Sequence, residues 1–207
     1  MRHAASLQVS GLALARGQRL LARDLSFALA PGGALELRGP NGTGKTTLLR
    51  ALAGLHQPLA GRIRLDWPQR TDDDSNADRL MFLGHLDAIK PAEPARGQLS
   101  FWAALFGGNA SRIPAVAESL GIAGQLDLPG GVLSAGQRRR LALARLVLAD
   151  RPLWLLDEPA APLDTAGRAM LGALLDRHRA EGGMVIAAVH DTPPGAPMQR
   201  LEMDTWA

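Results

Sequence analysis

From Gly39 the chain reads Gly39-Pro40-Asn41-Gly42-Thr43-Gly44-Lys45-Thr46, a full match to G-x-x-x-x-G-K-[ST], and Thr47 follows. Glycines at those places let the backbone curl until successive N–H groups face one point. A helix starting at Lys45 adds the partial positive charge of its N-terminus. Such a cradle suits the phosphates of a nucleotide, with the Lys45 ammonium on the β/γ oxygens and the Thr46 hydroxyl available to Mg²⁺. The rival explanation is a chance glycine-rich turn; a strand before and a helix after argue against it. The second half of the chemistry lies at Leu153-Trp154-Leu155-Leu156-Asp157-Glu158, four apolar residues and then two acids. This is the texture of a buried strand ending at the edge where open α/β sheets hold their ligands. Asp157 is expected to hold Mg²⁺ through a water, and Glu158 to polarise an attacking water as general base.

The elements that must position these residues alternate between strand and helix texture, which predicts an α/β fold. Leu7 to Leu14, Leu20 to Leu29, Ala34 to Leu37, Gly61 to Asp66, Arg79 to Leu83, Leu153 to Leu156 and Met184 to Val189 read as strands. Leu48, Leu49, Leu52 and Leu55 recur at helical spacing and predict a helix from Lys45 to Leu55. Thr71 to Asp78 is polar and acidic and reads as a loop. Strand signals vanish between Lys90 and Leu133, where Pro and Gly punctuate short helical pieces; this reads as a compact helical insertion. Ser134 is the expected N-cap of a helix reaching Ala149, and Ala166 to Ala180 reads as another, stopped at Gly182-Gly183. Beyond His190 the Pro-rich tail carries no element signal.

Composition narrows the function classes. The 207 residues include 23 basic and 20 acidic side chains, a net +3 that is too mild to make nucleic-acid binding the default. No cysteine is present, which removes disulfides, thiolate metal sites and a cysteine nucleophile. The longest mainly apolar run, Leu141 to Leu156, is interrupted by Arg145, Asp150 and Arg151 and falls short of the ~20 residues a membrane span requires. Met1 to Ser10 has no apolar leader segment. Any membrane role is therefore expected to run through a partner.

Leu133-Ser134-Ala135-Gly136-Gln137, followed by Arg138-Arg139-Arg140-Leu141-Ala142-Leu143-Ala144-Arg145, decides between the phosphate-loop classes. It resembles the LSGGQ signature and following helix of the ABC ATPases, and it stands 23 residues before Asp157 as in that family. The resemblance continues through Asp157-Glu158-Pro159, Leu163-Asp164 and His190, and covers nearly the whole chain. It implies a P-loop NTPase core with mixed sheet (residues 1–89 and 148–207) and a small helical subdomain carrying the signature (90–147), in one domain. It further implies a head-to-tail homodimer that sandwiches ATP. Ser134, Gly136 and Gln137 would then face the partner's nucleotide, Asp164 would lie in the loop between the two sites, and His190 would contact the γ-phosphate. Arg138 to Arg140 spread around a helix at ~100° per residue and are expected to be mostly a solvated face. His3, His56 and His178 have no such context and are expected at the surface.

Two positions depart from the general family pattern. His85, in Leu83-Gly84-His85, stands where the family usually has a glutamine ligand of Mg²⁺ and water, and an imidazole can both accept and donate. No aromatic precedes the phosphate loop at the adenine-stacking place; Arg16 is the nearest planar substitute. Leu83-Gly84-His85, the run to Pro91, Leu99-Ser100-Phe101-Trp102 and Ala135 in the signature resemble the ATPase subunits of cytochrome c maturation (haem exporter) systems. That resemblance implies peripheral attachment to an integral membrane permease subunit on the cytoplasmic face of a bacterial inner membrane. Hydrolysis there drives haem export or release of a haem chaperone. Ile89, Phe101, Trp102 and Phe106 would line the groove for the permease, or else form the core of the insertion. The motor of another ABC exporter or importer remains an alternative. ABC proteins of translation or DNA repair usually carry tandem cassettes or coiled-coil insertions, and neither occurs here.

Overall fold

The computed structural model describes residues 3–67, 79–191 and 195–205. Two sheets carry the strands. β1 (Ser6–Arg16), β2 (Arg19–Leu29) and β4 (Ala60–Asp66) form an antiparallel sheet in the order β2-β1-β4. β3 (Ala34–Arg38), β5 (Leu80–Leu83), β6 (Leu153–Asp157), β7 (Met184–Ala188) and β8 (Gln199–Glu202) form a second sheet in the order β5-β6-β7-β3-β8, with every pair parallel. The expected α/β class is met, with the antiparallel and parallel strands divided between the two sheets.

Burial follows the sequence texture. β6 and β7 are buried at every position because the parallel sheet is covered on both faces. One apolar cluster lies between the sheets and takes in Leu12, Leu25, Leu37, Leu48 and Ile186. A second covers the opposite face of the parallel sheet, where α4 (Ala135–Ala149) and α5 (Thr165–Ala180) pack through Leu143, Leu146, Leu171 and Leu175. A third joins α2 (Ala95–Leu105) and α3 (Ile113–Ser119) to α4 through Leu99, Ala103, Val116, Leu141 and Leu148. Helix α4 is thus buried on two sides. Its start is held by a capping box in which Gln137 N–H donates to Ser134 Oγ at 3.2 Å and Ser134 N–H donates to Gln137 Oε1 at 2.9 Å.

Several expectations change. α1 spans Lys45–Leu52 and stops before Leu55, because Gly54 takes a φ of 74° just past its end. The tail is not structureless: Leu35 to Arg38 of β3 pair with Gln199 to Glu202 of β8. His3 and His178 are buried, at 3% and 5% exposure, and His178 stacks on Trp154 with ring centroids 3.8 Å apart; only His56 lies partly open. The stacked site pushes the His178 imidazole down to about 4, chiefly through burial. The three arginines of α4 are not a solvated face either. Arg139 is 1% exposed, while Arg138 and Arg140 are half-buried, Arg138 donating to Leu133 O and Arg140 to Leu120 O and Asp164. The stretch Thr71 to Asp78 lies outside the described residues. Among the described residues no helix is long and apolar enough to cross a membrane.

Candidate functional site

Four neighbouring strands of the parallel sheet deliver the sequence-predicted residues to one edge. His85 follows β5, Asp157 ends β6 with Glu158 next, His190 follows β7, and the glycine loop follows β3. Parallel pairing aligns their carboxyl ends, so residues more than a hundred positions apart meet in one cleft of about 390 Å³. Its walls include Asn41, Gly42, Gly44, Lys45, Thr46 and Thr47 from the loop and α1, with His85, Asp157, Glu158 and His190 opposite. Arg16 and Leu21 from the antiparallel sheet close one side, so Arg16 reaches the cleft as an exposed side chain.

The loop geometry requires its glycines. Gly39, Gly42 and Gly44 have φ of 124°, 84° and 107°, a region that L side chains seldom adopt. A Cβ on Gly44 would also approach Leu21 Cβ to 3.1 Å. Thr43 Oγ1 donates to Pro40 O at 2.9 Å and steadies the turn. The buried Lys45 ammonium lies over the loop, donating to Gly39 O at 2.5 Å and Pro40 O at 3.1 Å. No acidic residue occupies the first turn of α1, so the N–H groups and Lys45 leave a net positive pole for a phosphate.

Facing that pole, Thr46 Oγ1 donates to Asp157 Oδ2 at 2.9 Å. A hydroxyl and a carboxylate in contact are hard oxygen donors, and the pair suits Mg²⁺, which takes one or two protein oxygens and completes its shell with phosphate and water. Glu158 is next along, with a φ of 51° and its N–H on Ala188 O at 3.0 Å. Left-handed backbone at a non-glycine residue costs about 1–3 kcal/mol and collects at working sites. Its carboxylate meets His190 Nε2 at 3.2 Å. Arg38, which sequence reasoning missed, donates to His190 O at 2.7 Å and is itself held by the buried Glu36 at 3.0 Å. Only the run of β3 into the glycine loop hinted at it.

Other predicted residues lie elsewhere. Ser134, Gly136 and Gln137 are not among the residues lining this cleft. Asp164 caps α5, accepting from Gly167 N–H at 2.7 Å, a bond that holds its carboxyl below the usual range. Of the groove candidates, Trp102 is core, with Arg145 over its ring at 5.1 Å; Phe101 is 54% exposed, and Ile89 and Phe106 are half-buried.

A parallel sheet with a phosphate loop at its carboxyl edge, flanked by an antiparallel sheet and a helical layer, defines an ATP-binding cassette. A family model described as ABC transporter matches residues 22–161, more than half the chain. An ABC transporter ATP-binding protein from Pyrococcus furiosus has the same fold, with a TM-score of 0.82 over 98% of this chain and 99% of that one at 22% identity. The cytochrome c biogenesis ATP-binding export protein CcmA of Maricaulis maris is 48% identical over 96% of this chain and 92% of its own length. Its namesake from Rhodospirillum rubrum is 47% identical over 90% and 82%. The chain belongs to the ABC transporter ATP-binding family and, within it, to the cytochrome c biogenesis ATP-binding export proteins.

Proposed function

We propose that this chain is the ATP-hydrolysing subunit of a transport assembly in c-type cytochrome biogenesis. The observation that carries the reading is the meeting of Lys45, Thr46, Asp157, Glu158 and His190 in one cleft at a helix N-terminus. The names of relatives 43–48% identical over most of the chain direct that activity to cytochrome c biogenesis and export.

In this reading loop N–H groups and Lys45 bind the ATP phosphates, and Thr46 with Asp157 would hold Mg²⁺. The ion would supply charge neutralisation on the β and γ oxygens. Glu158 accepts a proton from water as the water oxygen bonds to the γ-phosphorus and the bond to the β-bridging oxygen breaks, giving ADP and phosphate. His190 orients Glu158 and the water, and the exposed His85 stands at the rim for a similar contact. That Ser134, Gly136 and Gln137 do not line the phosphate-loop cleft fits a homodimer in which each α4 N-terminus meets the other copy's nucleotide. Attachment to the cytoplasmic side of the inner membrane would come through an integral permease subunit. Nucleic acid has no part in this scheme.

The test is deletion in the native host with complementation. Loss of covalently haem-stained c-type cytochromes, restored by the intact gene and not by one encoding Glu158→Gln, supports the reading. Intact cytochromes in the deletion strain would instead leave an ATPase serving some other ABC exporter or importer.

A further inference from the structure

Arg139 uses all five donors of its guanidinium, and the groups it reaches belong to two segments, one carrying His85 and the other Asp157 and Glu158. Nε donates to Pro159 O at 3.1 Å. Nη1 donates to Gly84 O at 3.1 Å and to Asp87 Oδ1 at 2.9 Å. Nη2 donates to Asp157 O at 2.8 Å and to Glu158 O at 2.7 Å. A guanidinium has five N–H donors and no acceptor, so nothing on this buried group is left over. Carbonyls alternate sides along an extended strand, so three consecutive ones cannot face one point. The left-handed φ of Glu158 breaks the alternation, and Arg139 collects the three carbonyls that result. Ala88, beside Asp87, is likewise left-handed with a φ of 55°.

We propose that Arg139 is the positioning residue that locks the start of α4, the Asp157–Pro159 turn and the loop carrying His85 into one unit, and thereby sets the carboxylate of Glu158. The proposal rests on Glu158 serving as the base. Arg139 stands five residues after Ser134 on one helix, so whatever engages the N-terminus of α4 is tied rigidly to the turn that holds Glu158. Lysine, with three donors on a point charge, cannot serve five acceptors arranged around a plane. None of the five acceptors belongs to the phosphate loop, so the arrangement bears more on water activation than on nucleotide affinity.

The experiment compares the purified full chain with Arg139→Met and Arg139→Lys by steady-state ATP hydrolysis, nucleotide titration, thermal melting and amide hydrogen exchange. A displacement of about 1 Å at the base predicts that Arg139→Met lowers kcat by about 10²-fold, with KM for ATP changed by less than about twofold. Arg139→Lys should fall between and, because it keeps the buried charge balanced against Asp87, should fold if the Met variant does not. Exchange should rise at residues 84–87 and at Asp157 and Glu158, and stay unchanged in the phosphate loop. Unaltered kcat in folded variants, equal loss of kcat and nucleotide affinity, or exchange that rises uniformly would each overturn the proposal. Wild-type protein that hydrolyses no ATP would remove the function assigned to Glu158, while the exchange comparison would still decide whether Arg139 holds the turn.

Discussion

Thr46 and Asp157, 111 residues apart in the chain, meet through a 2.9 Å hydrogen bond at the floor of the phosphate-loop cleft. The contact exists because β7 alone separates β3 from β6 in a parallel sheet. A hydroxyl already turned toward its carboxylate needs little rearrangement to share a cation with it. Asp157→Ala should leave the melting temperature within a few degrees and reduce hydrolysis by about 10²-fold, since a buried charge-neutralising contact is removed. Hydrolysis measured against Mg²⁺ concentration checks this: an unchanged Mg²⁺ dependence would contradict the assignment.

Glu158 and His190 make a sharper test of mechanism. General-base catalysis contributes typically ~10²–10⁴-fold, so Glu158→Gln should lower kcat by that order while ATP binding persists. The variant keeps the size and the approach to His190 and loses only the proton acceptor. ATP should then accumulate in a two-copy species detectable by light scattering; a monomer with bound ATP would speak against the shared-nucleotide dimer.

Gly44 tests the loop geometry. An alanine there must adopt a φ of 107° and place its Cβ 3.1 Å from that of Leu21. Backbone strain of about 1–3 kcal/mol follows, together with displacement of the N–H groups that face the phosphates. Gly44→Ala should lower the melting temperature and weaken nucleotide binding by at least about tenfold, for a loss of ~1.4 kcal/mol of contact. Scanning calorimetry would measure the first and a calorimetric titration the second.

His178 makes stability depend on pH. Its folded value of about 4 lies below the ordinary 6.5, so between these values the unfolded chain binds more protons than the folded one. Stability is therefore full above pH 6.5, declines as pH falls toward 4 and levels off below it. The shift corresponds to about 3 kcal/mol at most. Urea unfolding across pH 4 to 7 should show that slope. His178→Gln should flatten it while lowering stability at pH 7, since the stack on Trp154 is lost.

The glycine loop and the acids after β6 were legible because each rests on a local spacing that chemistry restricts, and Ser134 because it reads as a helix cap. Arg139 was not. Helical periodicity shows which residues share a side of a helix, but not that the opposing surface is a cluster of backbone carbonyls, and only that surface makes a buried cation favourable. The same limit hid His178, whose burial depends on Trp154 arriving from another element. β8 escaped notice for a different reason: it borders the sheet, only Leu201 of its residues is buried, and Gln-Arg-Leu-Glu has no strand texture without β3 beside it.

That last strand has a consequence for the order in which the protein can be made. β3 leads directly into the glycine loop, yet one of its two flanks is supplied by residues 199–202, which are synthesised long after β3 itself. Until they emerge, a row of unpaired amides on β3 stays open to any other extended chain. The nucleotide-bearing centre of the nascent molecule can close only once those residues have emerged, and a chain cut short before them would be a sticky product.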